Sequence, residues 1–113
     1  MLRSDTLSGN TGPNGGAVSN GAAASALISR TVISANSTPG TGGGIINLGT
    51  LTVSESRLSG NNSGDDGGGI ATIAGATTRL VQTTIDHNVA TGTGGGVYPD
   101  NCSPANTIPG CVG

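Results

Sequence analysis

The chain has 113 residues and a formal net charge of -2, with 22 glycines, 9% charged residues and a single aromatic residue, a tyrosine. This length limits the chain to one domain, and the lack of Phe and Trp excludes a conventional aromatic-rich core. Four arginines without lysine or stacking aromatics argue against nucleic-acid binding, and no apolar run is long enough to span a membrane.

From its N-terminus onward the chain repeats one pattern. Four segments, at residues 5–10, 31–36, 56–61 and 83–88, carry an apolar residue and then end in asparagine. These asparagines are 26, 25 and 27 residues apart. A glycine pair followed by an apolar residue comes after each of them, at residues 15–17, 43–45, 68–70 and 95–97. Two landmarks that recur in the same order predict one repeating structural unit.

Aligned on the asparagines, the repeats contain three apolar columns. The columns are Leu2, Ile28, Val53 and Leu80; Leu7, Ile33, Leu58 and Ile85; and Ala17, Ile45, Ile70 and Val97. Residues 51–54 alternate apolar and polar side chains, as in a strand with one buried face. Because glycine and β-branched residues disfavour helix, the repeats predict strands.

A period near 26 residues with three short strand segments predicts one turn of an all-β parallel β-solenoid. We expect about four coils of 25–28 residues, the last incomplete, with strands near residues 44–47, 50–54 and 56–60 in the second full repeat. Equivalent residues would stack about 4.8 Å apart. The repeated asparagines would then form a structural ladder, in which each side-chain amide bonds the next: Asn10, Asn36, Asn61 and Asn88.

The last part of the chain, residues 99–113, lies outside the repeat, which spans residues 1–98. Cys102 and Cys111 flank a turn-rich stretch with two prolines. We expect a disulfide that closes an irregular C-terminal tail, which fits an oxidising compartment, with two free thiols as the alternative. A zinc site would need four ligands, and this stretch has no histidine.

Residues 42–61 carry a resemblance through their sequence Gly-Gly-Gly-Ile-Ile-Asn-Leu-Gly-Thr-Leu-Thr-Val-Ser-Glu-Ser-Arg-Leu-Ser-Gly-Asn. The pattern is similar to the parallel β-helix repeats of bacterial secreted and cell-surface proteins, related to the polymorphic outer-membrane protein repeats. The resemblance covers about residues 2–98 and implies a right-handed β-helix in an extracellular or cell-surface protein. Because Met1 leads into polar sequence without a signal peptide, we expect a fragment or a short solenoid.

Charged residues offer few candidate sites. Asp86 and His87 could form a general base with its orienting carboxylate, but neighbours on a strand point to opposite faces. Asp65 and Asp66 are candidate calcium ligands, although a solvated surface loop is the favoured interpretation. We expect a salt bridge between aligned Arg30 and Glu55. No catalytic residue and no cofactor site is predicted.

Ice binding requires a flat face with unbroken threonine columns. Ser25, Thr50 and Thr77 form one polar column eleven residues before the asparagines. The neighbouring column, Leu27, Thr52 and Arg79, breaks the pattern. An ice-binding β-solenoid is therefore kept as an alternative function only.

The sequence favours a non-enzymatic extracellular module with a structural or adhesive role. We expect a glycan or cell-surface partner to contact its loops or polar strand faces. We expect no nucleic-acid partner and no membrane span. The other alternative is a fragment of a β-helix polysaccharide lyase or glycoside hydrolase, a family that the repeat broadly resembles but whose catalytic residues we do not find. Open strand edges on the first coil predict end-to-end self-association or a missing upstream segment.

Overall fold

The computed structural model describes residues 1–73, 75–91 and 102–103. These residues form fifteen short β-strands and no helix. The strands are β1 (Leu2–Arg3), β2 (Thr6–Ser8), β3 (Val18–Asn20), β4 (Ser25–Ser29), β5 (Val32–Ser34), β6 (Ser37–Thr38), β7 (Ile45–Asn47), β8 (Thr50–Ser54), β9 (Arg57–Ser59), β10 (Asn62–Ser63), β11 (Ile70–Thr72), β12 (Thr77–Val81), β13 (Thr84–Asp86), β14 (Val89–Ala90) and β15 (Cys102–Ser103).

The strands stack into four parallel sheets that run along a solenoid. Sheet 1 contains β1, β4, β8 and β12; sheet 2 contains β2, β5, β9 and β13; sheet 3 contains β6, β10 and β14; and sheet 4 contains β3, β7, β11 and β15. Every pairing is parallel and joins strands from neighbouring coils. The described residues complete about three turns from β1 to β12, which confirms the predicted all-β parallel solenoid.

The predicted strand positions are close to the observed ones. Strands β7, β8 and β9 lie within one residue, at each end, of the segments predicted in the second full repeat. Each coil after the first also has a fourth strand of two residues, in sheet 3, which the sequence did not predict because two residues show no alternation. The first coil contributes only a single bridge there, from Thr11 to Ser37. The right-handed winding stays a prediction.

Two of the three apolar columns are confirmed in register. Leu2 pairs with Ile28, Ile28 with Val53 and Val53 with Leu80. Leu7, Ile33, Leu58 and Ile85 pair in the same way. Together with the column that follows the glycines, they make a narrow aliphatic core, whose fully covered members are Ile28, Ile33, Ile45, Leu51, Val53, Leu58 and Ile70.

The third column was wrong by one residue in the first coil, where Val18 and not Ala17 pairs with Ile45. The structural landmark is the first glycine of each run, since Gly15 and Gly42 share a positive φ of 73° and 77°. Counting from a glycine pair therefore placed Ala17 one position early. At the other end of sheet 4, Ile70 pairs with Cys102 of β15, while the predicted Val97 lies outside the described residues.

The asparagine ladder runs through the turn between sheets 2 and 3. The backbone N–H and the Nδ2 of each asparagine donate to Oδ1 of the next, with distances of 3.1 and 2.9 Å from Asn36 to Asn61. Asn61 donates to Asn88 in the same way, at 2.9 and 2.8 Å. The second Nδ2 hydrogen of Asn61 bonds the carbonyl of Ile33 in the preceding coil. These amides satisfy the buried backbone at the turn and fix the coil register.

Two further ladders were not predicted. Asn20 Nδ2 donates to Asn47 Oδ1 at 2.9 Å, and Asn47 Nδ2 donates to Thr78 Oγ1 at 2.9 Å, at the corner between sheets 4 and 1. At the corner between sheets 1 and 2, the Thr31 N–H donates to Ser56 Oγ at 3.0 Å. Each of these three corners therefore has its own side-chain ladder across neighbouring coils.

Two of the corners also share a left-handed backbone residue in every coil. Between sheets 1 and 2 these are Ser4, Arg30, Glu55 and Gln82, with φ between 46° and 55°. Between sheets 2 and 3 they are Gly9, Ala35, Gly60 and His87, with φ between 55° and 68°. A non-glycine residue in this conformation costs about 1–2 kcal/mol, so the ladders offset local strain at these corners.

Candidate functional site

A charged cluster on the outer face of sheet 2 is the strongest candidate site. Arg57 lies in β9, Asp86 ends β13, and His87 occupies the following left-handed position. Asp86 Oδ2 lies 3.5 Å from Arg57 Nη2 and 3.3 Å from His87 Nδ1. Arg57 and His87 have side-chain exposures of 56% and 81%, against 33% for Asp86. The cluster therefore presents donors to solvent around one partly covered carboxylate.

The contact between Asp86 and His87 corrects the sequence analysis, which expected the two side chains to lie on opposite faces. That expectation holds for two residues that are both extended. His87 has a φ of 55°, so the backbone leaves the strand immediately after Asp86. The turn brings the ring nitrogen to the preceding carboxylate.

Arg57 was missed as a member of this cluster, although the repeat contains the signal. Arg57 pairs with Thr84, and Asp86 lies two residues further along the same strand. Such diagonal neighbours on one face are within reach of a long side chain. Alignment on Asn61 and Asn88 places Arg57 and Asp86 on that diagonal.

The predicted ion pair between Arg30 and Glu55 does not form. Both residues are exposed at the left-handed corner, and the arginine ion pair among the described residues is that of Arg57 with Asp86. An exposed pair adds at most about 1 kcal/mol and requires two long side chains to be ordered. Stacking in one column was therefore not enough to join Arg30 and Glu55.

The Asp86 carboxylate also has an unsatisfied atom. Oδ1 is buried and has no hydrogen-bond partner among the described residues. A buried acceptor without a donor costs folding free energy, so the Asp86 carboxylate is not fully satisfied by the protein. Chemically, the three side chains supply one carboxylate, a guanidinium with free donors and an imidazole, a set suited to binding polar groups.

The loop with Asp65 and Asp66 lies at a different place, between sheets 3 and 4. Gly42 N–H and Ser63 Oγ both donate to the Asp66 carbonyl oxygen, at 2.9 and 3.0 Å. Partial burial, and then the charge of Asp65, raise the pKa of Asp66 above its ordinary value. The folded loop therefore disfavours the ionised form of Asp66. Among the described residues no group of three or more His, Cys, Asp or Glu could hold a metal ion, and the calcium candidates stay a prediction.

The outer face of sheet 1 carries the two columns considered for ice binding. Ser25, Thr50 and Thr77 pair in register, as expected. In the adjacent column, Leu27, Thr52 and Arg79 also pair in register. The face is thus polar along one column, and a leucine and an arginine interrupt the next.

The predicted disulfide cannot be placed on the described structure. The backbone of Cys102 belongs to β15 and pairs with Ile70 in sheet 4. Cys111 lies outside the described residues. The bond between them stays a prediction.

Comparison with known proteins finds no matching family, no matching curated protein and no matching solved structure. The β-solenoid fold is supported by the strand pairing, while the resemblance to bacterial outer-membrane repeats rests on the sequence pattern alone. In the part of the chain that the structure describes, no helix is long and apolar enough to cross a membrane.

Proposed function

We propose that this chain is a non-enzymatic structural and adhesive β-solenoid module of an extracellular or cell-surface protein. The observation that carries the proposal is the uniform stacking of coils into four parallel sheets, held at the corners by hydrogen-bonded side chains. Stacked coils give a stiff spacer, because each coil is fixed by its neighbours.

The adhesive part of the proposal is supported by the outer faces of sheets 1 and 2. Their outward columns consist mainly of Ser, Thr and Arg, repeated at the spacing of neighbouring strands. Each such group can form weak hydrogen bonds with a hydroxylated polymer. A regular array makes many of these bonds at once, which raises the overall affinity. A glycan is therefore the partner we propose, with the Arg57–Asp86–His87 cluster as the strongest contact point.

A second candidate function is supported by that same cluster. A fragment of a polysaccharide lyase or glycoside hydrolase would need an arginine and acids together on one face, and Arg57, Asp86 and His87 meet there. Glycoside hydrolysis by the common route uses two carboxylates, whereas this cluster contributes one. The cluster therefore favours binding over cleavage.

Ice binding is the third candidate and is supported by one column of sheet 1, formed by Ser25, Thr50 and Thr77. Leu27 and Arg79 interrupt the column beside it, which weakens a flat hydroxyl array. The shape of ice crystals grown with the protein tests this function separately.

The decisive experiment is to incubate the full chain with acidic and neutral polysaccharides, with and without calcium. Both binding and new chain ends are recorded. We expect binding without new chain ends, and weaker binding by Arg57→Ala than by Arg79→Ala, which removes an exposed arginine from sheet 1. New chain ends that Asp86→Asn abolishes would establish the enzyme instead. If the chain neither binds nor cleaves any of the polysaccharides, the adhesive role is refuted.

A further inference from the structure

In the part of the chain that the structure describes, the outer face of sheet 2 is charged only where Arg57, Asp86 and His87 meet. Arg57 and Asp86 point outward, because each is next in sequence to a core residue of its strand and side chains alternate between the two faces. The other outward positions of this sheet, and of the left-handed corner beside it, are uncharged. Glu55, two residues before Arg57, forms no ion pair with a described residue. The cluster therefore decides the charge of this face.

The cluster offers hydrogen-bond donors to solvent and covers its acceptors. Asp86 Oδ1 is buried, and Asp86 Oδ2 lies 3.5 Å from Arg57 Nη2 and 3.3 Å from His87 Nδ1. A guanidinium has several donors and no acceptor, and one contact with Asp86 leaves most of the Arg57 donors for a ligand. A sugar hydroxyl uses both donors and acceptors, whereas a carboxylate or sulfate group needs donors alone. The arrangement therefore favours an anionic ligand group.

A proton on His87 changes the charge of the cluster. With a neutral imidazole, the charges of Arg57 and Asp86 cancel. A protonated imidazole places a second cation 3.3 Å from Asp86 Oδ2, so one carboxylate is shared between two cations. Arg57 is then less neutralised and attracts an anion more strongly. Histidine is the side chain that ordinarily changes charge between about pH 5 and 8.

We propose that Arg57 and His87 bind a carboxylate or sulfate group of an acidic glycan, and that protonation of His87 strengthens this binding. The inference rests on the glycan-binding function proposed above and specifies the chemical class of the glycan. Arg57 supplies a planar fork of donors that matches two oxygens of the anion, and His87 supplies a further N–H with a positive charge. Asp86 holds these two side chains next to each other. Ser59 and Thr84, which pair with Asp86 and Arg57, supply hydroxyls for the sugar ring.

Dextran, carboxymethyl-dextran and dextran sulfate test the proposal, because they share one neutral backbone and differ in their anionic group. The affinity of the full chain for each polymer is measured at about pH 5.5 and about pH 8. At the lower pH we expect an anionic polymer to bind at least about tenfold more tightly than dextran, and at the higher pH this preference weakens. Tighter binding of the carboxymethyl or of the sulfate polymer identifies which anion the site takes. The net charge of the chain is -2, so its overall charge does not favour a polyanion.

Two substitutions at His87 separate its proton from other effects of pH. His87→Gln binds the anionic polymers weakly at both pH values, whereas His87→Arg keeps a permanent positive charge and binds them tightly at both. Arg57→Ala lowers the affinity for the anionic polymers about tenfold. Arg30→Ala is the matched control, because it removes an exposed arginine from the corner between sheets 1 and 2, and it leaves the affinity unchanged. Far-UV circular dichroism verifies that each variant is folded.

Three results overturn this inference. The first is equal binding of dextran and its anionic derivatives, which leaves the adhesive function standing. The second is a pH dependence that His87→Gln retains, because another group then supplies the charge. The third is a chain that binds neither anionic polymer, in which case the wider set of acidic and neutral polysaccharides decides the adhesive function separately.

Discussion

The first coil and the inner coils share one pattern of apolar and asparagine positions but have very different environments. Leu7 and Leu58 occupy the same column, yet Leu7 is half-buried and Leu58 is 0% exposed. Asn10 and Asn61 occupy the same ladder, yet Asn10 is exposed and Asn61 is 1% exposed. A coil therefore does not bury its own apolar side chains. Burial comes from the neighbour on each side, as expected for a repeat protein whose stability is a sum over contacts between neighbouring units.

The largest expected change in stability comes from truncating the same leucine side chain in each of the two environments. Leu58→Ala leaves a cavity between two coils and should lower the free energy of unfolding by about 3 kcal/mol. Leu7→Ala should lower it by about 1 kcal/mol, because one side of Leu7 has no coil packed against it. Urea unfolding followed by circular dichroism measures both variants, since the chain has no tryptophan. Equal losses would mean that Leu7 is fully covered in solution.

The ladder supplies the next test. Asn61→Ala removes the acceptor for the Asn36 N–H and Nδ2, and it also removes the donor to the Ile33 carbonyl. Buried groups left without partners should lower the free energy of unfolding by about 2 kcal/mol. Asn10→Ala serves as the exposed control and should lower it by about 0.5 kcal/mol, since the backbone N–H of residue 10 still bonds Asn36. Similar decreases in the free energy of unfolding for the two variants would contradict the prediction that the ladder stabilises the fold mainly where its asparagines are buried.

The smallest effects concern the left-handed corner between sheets 2 and 3. Ala35 and Gly60 occupy this position in consecutive coils, with φ of 55° and 68°. A Cβ on Gly60 would meet no atom closer than the Ala35 nitrogen at 3.8 Å, so Gly60→Ala adds conformational strain alone. We expect it to lower the free energy of unfolding by about 1 kcal/mol, and Ala35→Gly to raise it by a similar amount.

Thermal or urea unfolding of the two single variants and of the double variant checks this corner. The double variant exchanges the two residues and should unfold like the original chain. If Ala35→Gly destabilised the protein, the Ala35 methyl group would have a packing role that outweighs its backbone strain.

The repeat alone was enough to predict most of the strands. Strands β7, β8 and β9 and the columns of Leu7 and Leu2 follow from apolar spacing, because a strand alternates with a period of two and a coil with a period near 26 residues. The asparagine ladder follows from the same alignment. The Asn20–Asn47 ladder was missed because the third coil replaces the asparagine with Thr72, whose backbone pairs with Asn47.

The charged site was predicted less well than the fold. Arg30 and Glu55 share a column and do not meet, whereas Arg57 and Asp86 lie on a diagonal and do meet. His87 reaches Asp86 because the backbone turns after the strand. These contacts depend on rotamers and on corner conformation, and a column alignment contains neither.

By itself, the sequence determined that this protein is a stack of short parallel strands with an aliphatic interior and asparagine turns, because periodicity is a local property of the chain. Only the tertiary structure decided that Val18 takes the place expected for Ala17, and that Arg57, Asp86 and His87 gather on sheet 2. It also decided that Leu58 and Asn61 are fully buried between coils. The reason is physical: loop lengths and coil stacking set which residues become neighbours, and a single repeat does not specify its neighbour.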